Sequence, residues 1–246
     1  MRIAVYYLPI VLIAVVWESV SRLGIVSTRS LPSLTSVVNA WVELVTSGEM
    51  LANAVASLWR AGAGLAIAIL VGATLGIAMA WWRPLRTLVN PLVEALYPLP
   101  KSALIPVTAL WLGFGDASKI LLIFLACMLP VTIGAFNGAR GCEHVMVWSA
   151  RALGAGKLRV LWDVVVPSAL PELLNGIRTA LALSFILLVS SELIASRNGL
   201  GYLIGSLGEA GVYDAMFAAV LTVAFLGFIA DRVFQRFSQW VLRWRA

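Results

Sequence analysis

The stretch Arg60-Ala-Gly-Ala-Gly-Leu-Ala-Ile-Ala-Ile-Leu-Val-Gly-Ala-Thr-Leu-Gly-Ile-Ala-Met-Ala-Trp81 sets the fold class. After its first residue it carries no charge, and about 20 apolar residues in a helix cross the hydrocarbon core of a bilayer. A long unbroken run of this kind favours a helix over a membrane strand, which alternates in short segments. Five other segments read the same way. The expected spans are about 3–23, 60–81, 91–112, 120–138, 168–193 and 214–234. Composition agrees, since 61% of the 246 residues are hydrophobic, 12% are charged, and the mean hydropathy is +0.94. Soluble domains are roughly 45–50% apolar and about 25% charged. The excess needs lipid as its solvent, which excludes a soluble enzyme, a nucleic-acid-binding domain and a disordered chain. The expected fold is an all-α membrane protein, one domain over 1–246 with six transmembrane helices.

Basic residues orient the spans. The termini and the 82–90 and 138–167 loops hold Arg2, Arg83, Arg86, Arg140, Arg151, Lys157, Arg159, Arg236, Arg243 and Arg245, against Arg29, Lys119 and Arg197 on the other side. Cytoplasmic loops carry the excess of Lys and Arg, so both termini are expected in the cytoplasm. The net charge of +6 is then an orientation signal and not a sign of nucleic acid. The apolar start reads as a retained first span, too long for a signal-peptide core. The long outer loop, 24–59, contains a short amphipathic helix through Trp41 and Leu44.

Within the spans, Gly64, Ala68, Gly72 and Gly76 form a small-residue stripe at four-residue intervals. Small residues let membrane helices approach closely, either inside one subunit or at a seam between two. Pro98, Pro100 and Pro106 break the third segment, and irregular backbone at membrane depth is tolerated where it is buried or lines a watery cavity. Lys101 and Ser102 sit in that break as pathway candidates, with snorkelling to the interface as the alternative for Lys101. Arg178, Ser184, Ser191 and Glu192 share the fifth span as further pathway candidates. The serines equally suit bonds to their own backbone. No chain of carboxylates crosses the midplane and no internal repeat is visible, against an ion-coupled secondary transporter. His144 lies far from the span serines, against an intramembrane protease. One histidine and two cysteines make no metal cluster, so no catalytic and no metal residue is expected.

The 138–167 loop holds the most information. Its stretch 143–153 forms a helix with Val145, Trp148 and Ala152 on one face, closed by Gly154 and Gly156. A second short helix is expected from Lys157 to Val165, before Pro167 opens the next span. Trp148-Ser149-Ala150, Gly154, Val164 and Val166-Pro167 keep the spacing of a loop found in the integral subunits of bacterial ATP-binding cassette (ABC) importers: Glu-Ala-Ala, three residues, Gly, nine residues, Ile, one residue, Leu-Pro. The departures are Trp148 for Glu and Ser149 for the first Ala. Other pieces resemble the nitrate/sulfonate/taurine branch of these permeases: Trp17-Glu18, Leu31-Pro32-Ser33, Pro98 to Pro106, Leu110 to Asp116 and Asn198 to Ile204.

The resemblance, over about residues 10–240, implies a type I ABC importer permease fold in the bacterial inner membrane. It implies a homodimer, two cytoplasmic ABC ATPase subunits and an external solute-binding protein, carrying a small anion of the nitrate, sulfonate or taurine kind. The loop then docks on the ATPase, with Val145, Trp148 and Leu153 as apolar contacts and Arg151 and Lys157 at the rim. Ser149, Ala150, Ala152, Gly154 and Pro167 belong to the same element. No cofactor is expected on this chain. Gly154-Ala-Gly156-Lys157 lacks the first glycine of a phosphate loop and has Leu158 where Ser or Thr would hold magnesium, so ATP and magnesium fall to the partner.

Overall fold

A computed structural model describes residues 2–27 and 29–245, and the regular structure among them is helical. In chain order the helices are α1 (Arg2–Arg22), α2 (Leu34–Thr46), α3 (Glu49–Trp81), α4 (Arg83–Leu96), α5 (Ile105–Leu112), α6 (Asp116–Arg140), α7 (His144–Ala152), α8 (Lys157–Val160), α9 (Val166–Ala195), α10 (Leu200–Glu209) and α11 (Tyr213–Val241). By length and composition α3, α6, the combined Lys157–Ala195 rod and α11 can each cross a membrane.

The middle of the molecule is α6, held between α3 and α9 at backbone distance. A Cβ added at Gly64 would meet the Ile123 Cβ at 2.8 Å, and one at Gly76 would meet the Ala135 Cβ at 2.7 Å. A Cβ at Gly72 would lie 2.9 Å from the Met128 carbonyl oxygen. Ala68 on the same stripe is fully buried. The stripe therefore packs on α6 of the same chain. The other side of α6 is as tight: Gly134 and Gly138 would touch the Glu172 and Ala169 carbonyls at 2.6 Å, and Gly176 on α9 would touch the Pro130 carbonyl at 2.5 Å. Lipid offers no hydrophobic drive between helices, so van der Waals contact at such close approach holds them.

One expected span is broken as its prolines predict, and two other parts of the chain depart from expectation. No single helix covers 91–112. The chain leaves α4 at Leu96, passes Pro98 and Pro100, makes a 3₁₀ turn over Lys101–Leu104 and resumes as α5. Each proline removes a helical donor and pushes the preceding residue out of the helical region, so the break is local chemistry. Next, Pro167 does not divide a short helix from a span. Residues 157–195 run on as one rod of 39 residues, through a π turn at Leu161–Val165 in which the Val166 N–H donates to the Leu161 carbonyl. A proline ring clashes with the carbonyl four residues before it. The wider π turn at this point relieves that clash. Finally, α10 occupies the interval between the last two expected spans, and its Leu200 and Leu203 pack with Val37, Met50 and Ala218 in one core cluster.

The ends of α1 and α2 form one joint. Ser33 caps α2 by accepting the Ser36 N–H at 3.1 Å. Glu18 accepts the Leu34 N–H at 2.7 Å, the Thr35 hydroxyl at 2.7 Å and the Arg22 guanidinium at 2.6 Å. Trp17 donates its indole N–H to the Pro32 carbonyl at 2.8 Å. Two separated sequence pieces, Trp17-Glu18 and Leu31-Pro32-Ser33, are thus the two halves of a single contact.

Gly76→Val should lower stability by about 1–3 kcal/mol or abolish folded yield, because its side chain must displace α6 backbone. Gly62→Ala is the control, since nothing lies within 4 Å of its added Cβ, and it should gain about 0.5–1 kcal/mol from helix propensity. Thermal midpoints of the two variants in one detergent check both.

Candidate functional site

The proline-broken segment opens a cavity of about 530 Å³ against α6 and α9. Tyr97, Lys101 and Ser102 line one side. Ala126, Leu129 and Pro130 come from α6, and Thr179, Leu183, Ile186, Leu187 and Ser190 from α9. Lys101 is half-buried, and its Nζ donates to the Leu96 carbonyl at 3.1 Å and the Tyr97 carbonyl at 2.5 Å. It thereby satisfies carbonyls that the end of α4 leaves without helical partners. No acidic residue is among the lining groups, so the cavity has one positive charge and several hydroxyls.

The other pathway candidates lie elsewhere. Ser184 and Ser191 are buried and donate to the Leu181 and Leu188 carbonyls of their own helix. Arg178 pairs with Asp231 of α11, its Nε 2.8 Å from Oδ1. Its charge is answered within the chain and does not line the cavity. Along α9 the cavity takes Thr179, Leu183 and Ser190, a face adjacent to the Ser184–Ser191 face that the sequence singled out.

Glu192, the remaining pathway candidate, is fully buried. Arg60 of α3, 2% exposed, donates to its Oε1 at 2.7 Å. Ser57 donates to both carboxylate oxygens, at 2.9 and 2.7 Å. The Gly201 N–H adds a bond of 2.9 Å to Oε2. Arg60 Nε also donates to Asp116 Oδ1 at 2.8 Å, and Nη1 to the Asn198 carbonyl at 2.9 Å. Nearby, Lys119 donates to the Phe114 carbonyl at 2.5 Å and to the Ala195 carbonyl. Gly199 has φ +110, and a Cβ there would overlap the Glu192 carboxylate. This cluster ties α3, α6, α9 and the start of α10. Every buried side-chain polar atom among the described residues has a partner, as a low-dielectric site demands.

Sequence reasoning missed Arg60, Ser57, Asp116, Lys119 and Asn198 as members of this cluster. Arg60 stood at the edge of an expected span, and Asp116 and Lys119 stood in an expected loop. The available signal was Arg60 and Glu192 as opposite charges bounding long apolar runs at the same end. Intramembrane charges generally pair with one another.

At the other end of the rods lies α7. Arg60 and Trp81 are separated along α3 by about 30 Å at 1.5 Å per residue. Val147 and Ala150 face inward on a cluster with Ala139, Cys142, Val160, Val165 and Ala169. Val145, Trp148 and Leu153 point away, with Trp148 66% and Leu153 89% exposed. Ser149, Arg151, Ala152 and Lys157 are exposed beside them, and Pro167 is half-buried behind. His144 stacks on Trp148, ring centroids 6.3 Å apart. Gly154, at φ +88, closes the helix. Its N–H donates to the Arg151 carbonyl at 2.9 Å, and the Ala155 N–H to the Ala150 carbonyl at 3.0 Å. This paired closure needs a left-handed residue after the helix, which glycine adopts without steric cost.

Arg60→Met should cost about 3–5 kcal/mol, because it leaves Glu192 charged, buried and unpaired. The double variant Arg60→Met/Glu192→Leu should recover much of the loss. Asp116→Asn should cost about 0–1 kcal/mol, since an exposed partner is screened. Thermal midpoints of the purified variants measure all three.

The sequence profile of the family described as "binding-protein-dependent transport system inner membrane component" matches residues 64–243. The taurine transport system permease protein of Escherichia coli (strain K12) is 34% identical over 221 residues, 88% of this chain and 80% of that protein. A putative aliphatic sulfonates transport permease protein of Bacillus subtilis (strain 168) is 33% identical over 238 residues, 97% of this chain and 86% of that protein. Among solved structures, an inward-facing methionine ABC transporter, MetNI, superposes with a TM-score of 0.68 at 17% identity, covering 80% of this chain and 97% of that one. At that identity the likeness concerns the fold.

Proposed function

The chain belongs to the binding-protein-dependent transport system inner membrane component family, and from that premise we propose how it works and what it carries. It is a multi-pass permease of the inner membrane, a transport component and not an enzyme. In the proposed arrangement α1, α3, the α4–α5 pair, α6, α9 and α11 make six crossings with both termini in the cytoplasm. Two copies form the pathway. Two ATPase subunits sit beneath α7, and an external binding protein delivers the solute.

The observation that carries this reading is the outward apolar face of α7. Val145, Trp148 and Leu153 are largely exposed, and an exposed apolar patch rimmed by charge marks a protein-binding surface. Arg151 and Lys157 supply that rim. The element is stiffly mounted, with its inner face in a packed cluster and its neighbour α8 continuous with the long rod that carries Glu192 near its far end. Closure of the ATPase pair on ATP pushes α7, and the rod transmits the push across the membrane. ATP-bound ATPase is then the ligand with different affinity for the inward-open and outward-open states.

The proposed cargo is a small organic sulfonate. Two relatives are named for taurine and aliphatic sulfonates. The cavity at the proline break presents one ammonium, hydroxyls and no carboxylate, which suits a single strong anion in passage. Lys101 is already engaged with carbonyls, so it attracts the anion without trapping it.

Co-expression with the matching ATPase and binding protein, followed by uptake and ATP turnover in liposomes, tests the assignment. Gly154→Val should leave the helices folded, because an added Cβ meets nothing within 4 Å. It should uncouple ATP turnover from uptake, because φ +88 strains a β-branched residue. Normal coupled uptake by this variant, or an ATPase that never co-purifies, would overturn the role given to α7. Lys101→Gln should lower sulfonate uptake about tenfold, in line with the loss of one charge-assisted contact, and should spare binding of the solute to its external protein.

A further inference from the structure

A second cavity, about 430 Å³, opens where α3 and α6 end and α7 begins. Arg83, Arg86, Arg140 and Arg151 line it together with His144 and Trp81, and no lining residue is acidic. Arg86 is committed to the fold. Its Nε and Nη2 donate to the Met79 and Ala80 carbonyls at 3.0 and 2.8 Å, capping the end of α3. The other three are uncommitted. Among the described residues Arg83, Arg140 and Arg151 donate no side-chain hydrogen bond, and none of the four arginines has an acidic partner within salt-bridge distance. Arg86 and Arg140 each stand over the Phe136 ring, 5.4 and 5.7 Å from its centroid.

Four like charges gathered in one concavity repel one another, and among the described residues no acidic side chain pairs with them. Even a strong bias of basic residues to one side of a membrane calls only for scattered charges, not for their convergence on a cavity. Guanidinium groups match the geometry of a phosphodiester, to which they donate paired hydrogen bonds. Trp81 ends the apolar run of α3, a place where indoles sit at headgroup level. We propose that this cavity binds the phosphate of an anionic phospholipid of the cytoplasmic leaflet, with Arg83 and Arg140 as its ligands and Arg151 at its edge towards the rim of α7. Basic pockets between membrane helices on that side hold such headgroups. The bound lipid would brace the root of α7 from the membrane side, opposite the face assigned to the ATPase.

The proposal rests on the inward orientation of this end, and its test needs no transport. The full chain is purified in a neutral detergent. Native mass spectrometry and thermal midpoints are then read with phosphatidylglycerol, phosphatidylcholine or inorganic phosphate added. Phosphatidylglycerol should be retained and should raise the midpoint, whereas phosphatidylcholine should do neither. Arg83→Gln/Arg140→Gln should weaken retention about thirtyfold, at the strength of two basic residues near an anionic surface. Arg83→Lys/Arg140→Lys should keep most of it. If the double Gln variant does not fold, Arg140→Gln alone should weaken retention about fivefold. Equal retention of both lipids, or unchanged retention by the Gln variants, would overturn the site. The same stabilisation by inorganic phosphate alone would overturn its assignment to lipid. Failure of uptake with lipid binding intact would count against the transport reading and not against this one.

Discussion

Everything in this molecule hangs on the backbone-to-backbone approach of α6 to α3 on one side and α9 on the other. Glycines at 64, 72 and 76 face one flank of α6, and Gly134, Gly138 and Gly176 close the other. In lipid the helices gain nothing from hiding apolar side chains, because the surroundings are as apolar as the interface. Shape is what remains, and missing Cβ atoms let peptide units touch. The resulting three-rod slab is the reference against which both ends of the protein are positioned.

Each end uses the slab differently. At one end Arg60 and Glu192 lie buried within it, and the desolvation of both charges is offset by serine, glycine and asparagine partners. A buried pair of this kind is weak evidence for added stability, but it is intolerant of misalignment. It therefore selects one register of α3, α9 and α10. At the other end the slab leaves α7 outside, anchored by small apolar residues below and bare above. The locked end lies on the continuous helix 157–195, and the first turns of that helix pack beside α7. A displacement at α7 thus has a stiff route to the Glu192 cluster.

Much of the fold was legible in the primary structure. The long apolar runs became α3, α6, the α9 rod and α11, and the stripe from Gly64 to Gly76 met a neighbour. The α7 helix, its outward Val145 and Trp148 and its closure at Gly154 followed from local spacing and glycine chemistry. What was not legible shares a cause. Pro167 reads as a helix breaker, yet a π turn absorbs it, and that adjustment depends on the continuing rod around it. Arg178 reads as a pathway candidate, and its partner Asp231, 53 residues on, comes from a separate helix. Ser184 and Ser191 make the backbone bonds that serines in such helices suit, and only packing shows that the neighbouring face of the same helix lines the cavity.

Local order along the chain was sufficient for helix positions, the proline break and the capped α7, because each depends on residues within a turn or two. Charge bias between loops was likewise sufficient to suggest a sidedness. The partners of Arg60, Lys119, Glu192 and Arg178 could come only from the packed helices, since each contact joins residues from separate elements. The same holds for the gathering of Arg83, Arg140 and Arg151 around one cavity. A one-dimensional pattern records which charges exist at the membrane edge. Whether a charge is neutralised, buried or left to a ligand depends on which helix the glycines allow to come near.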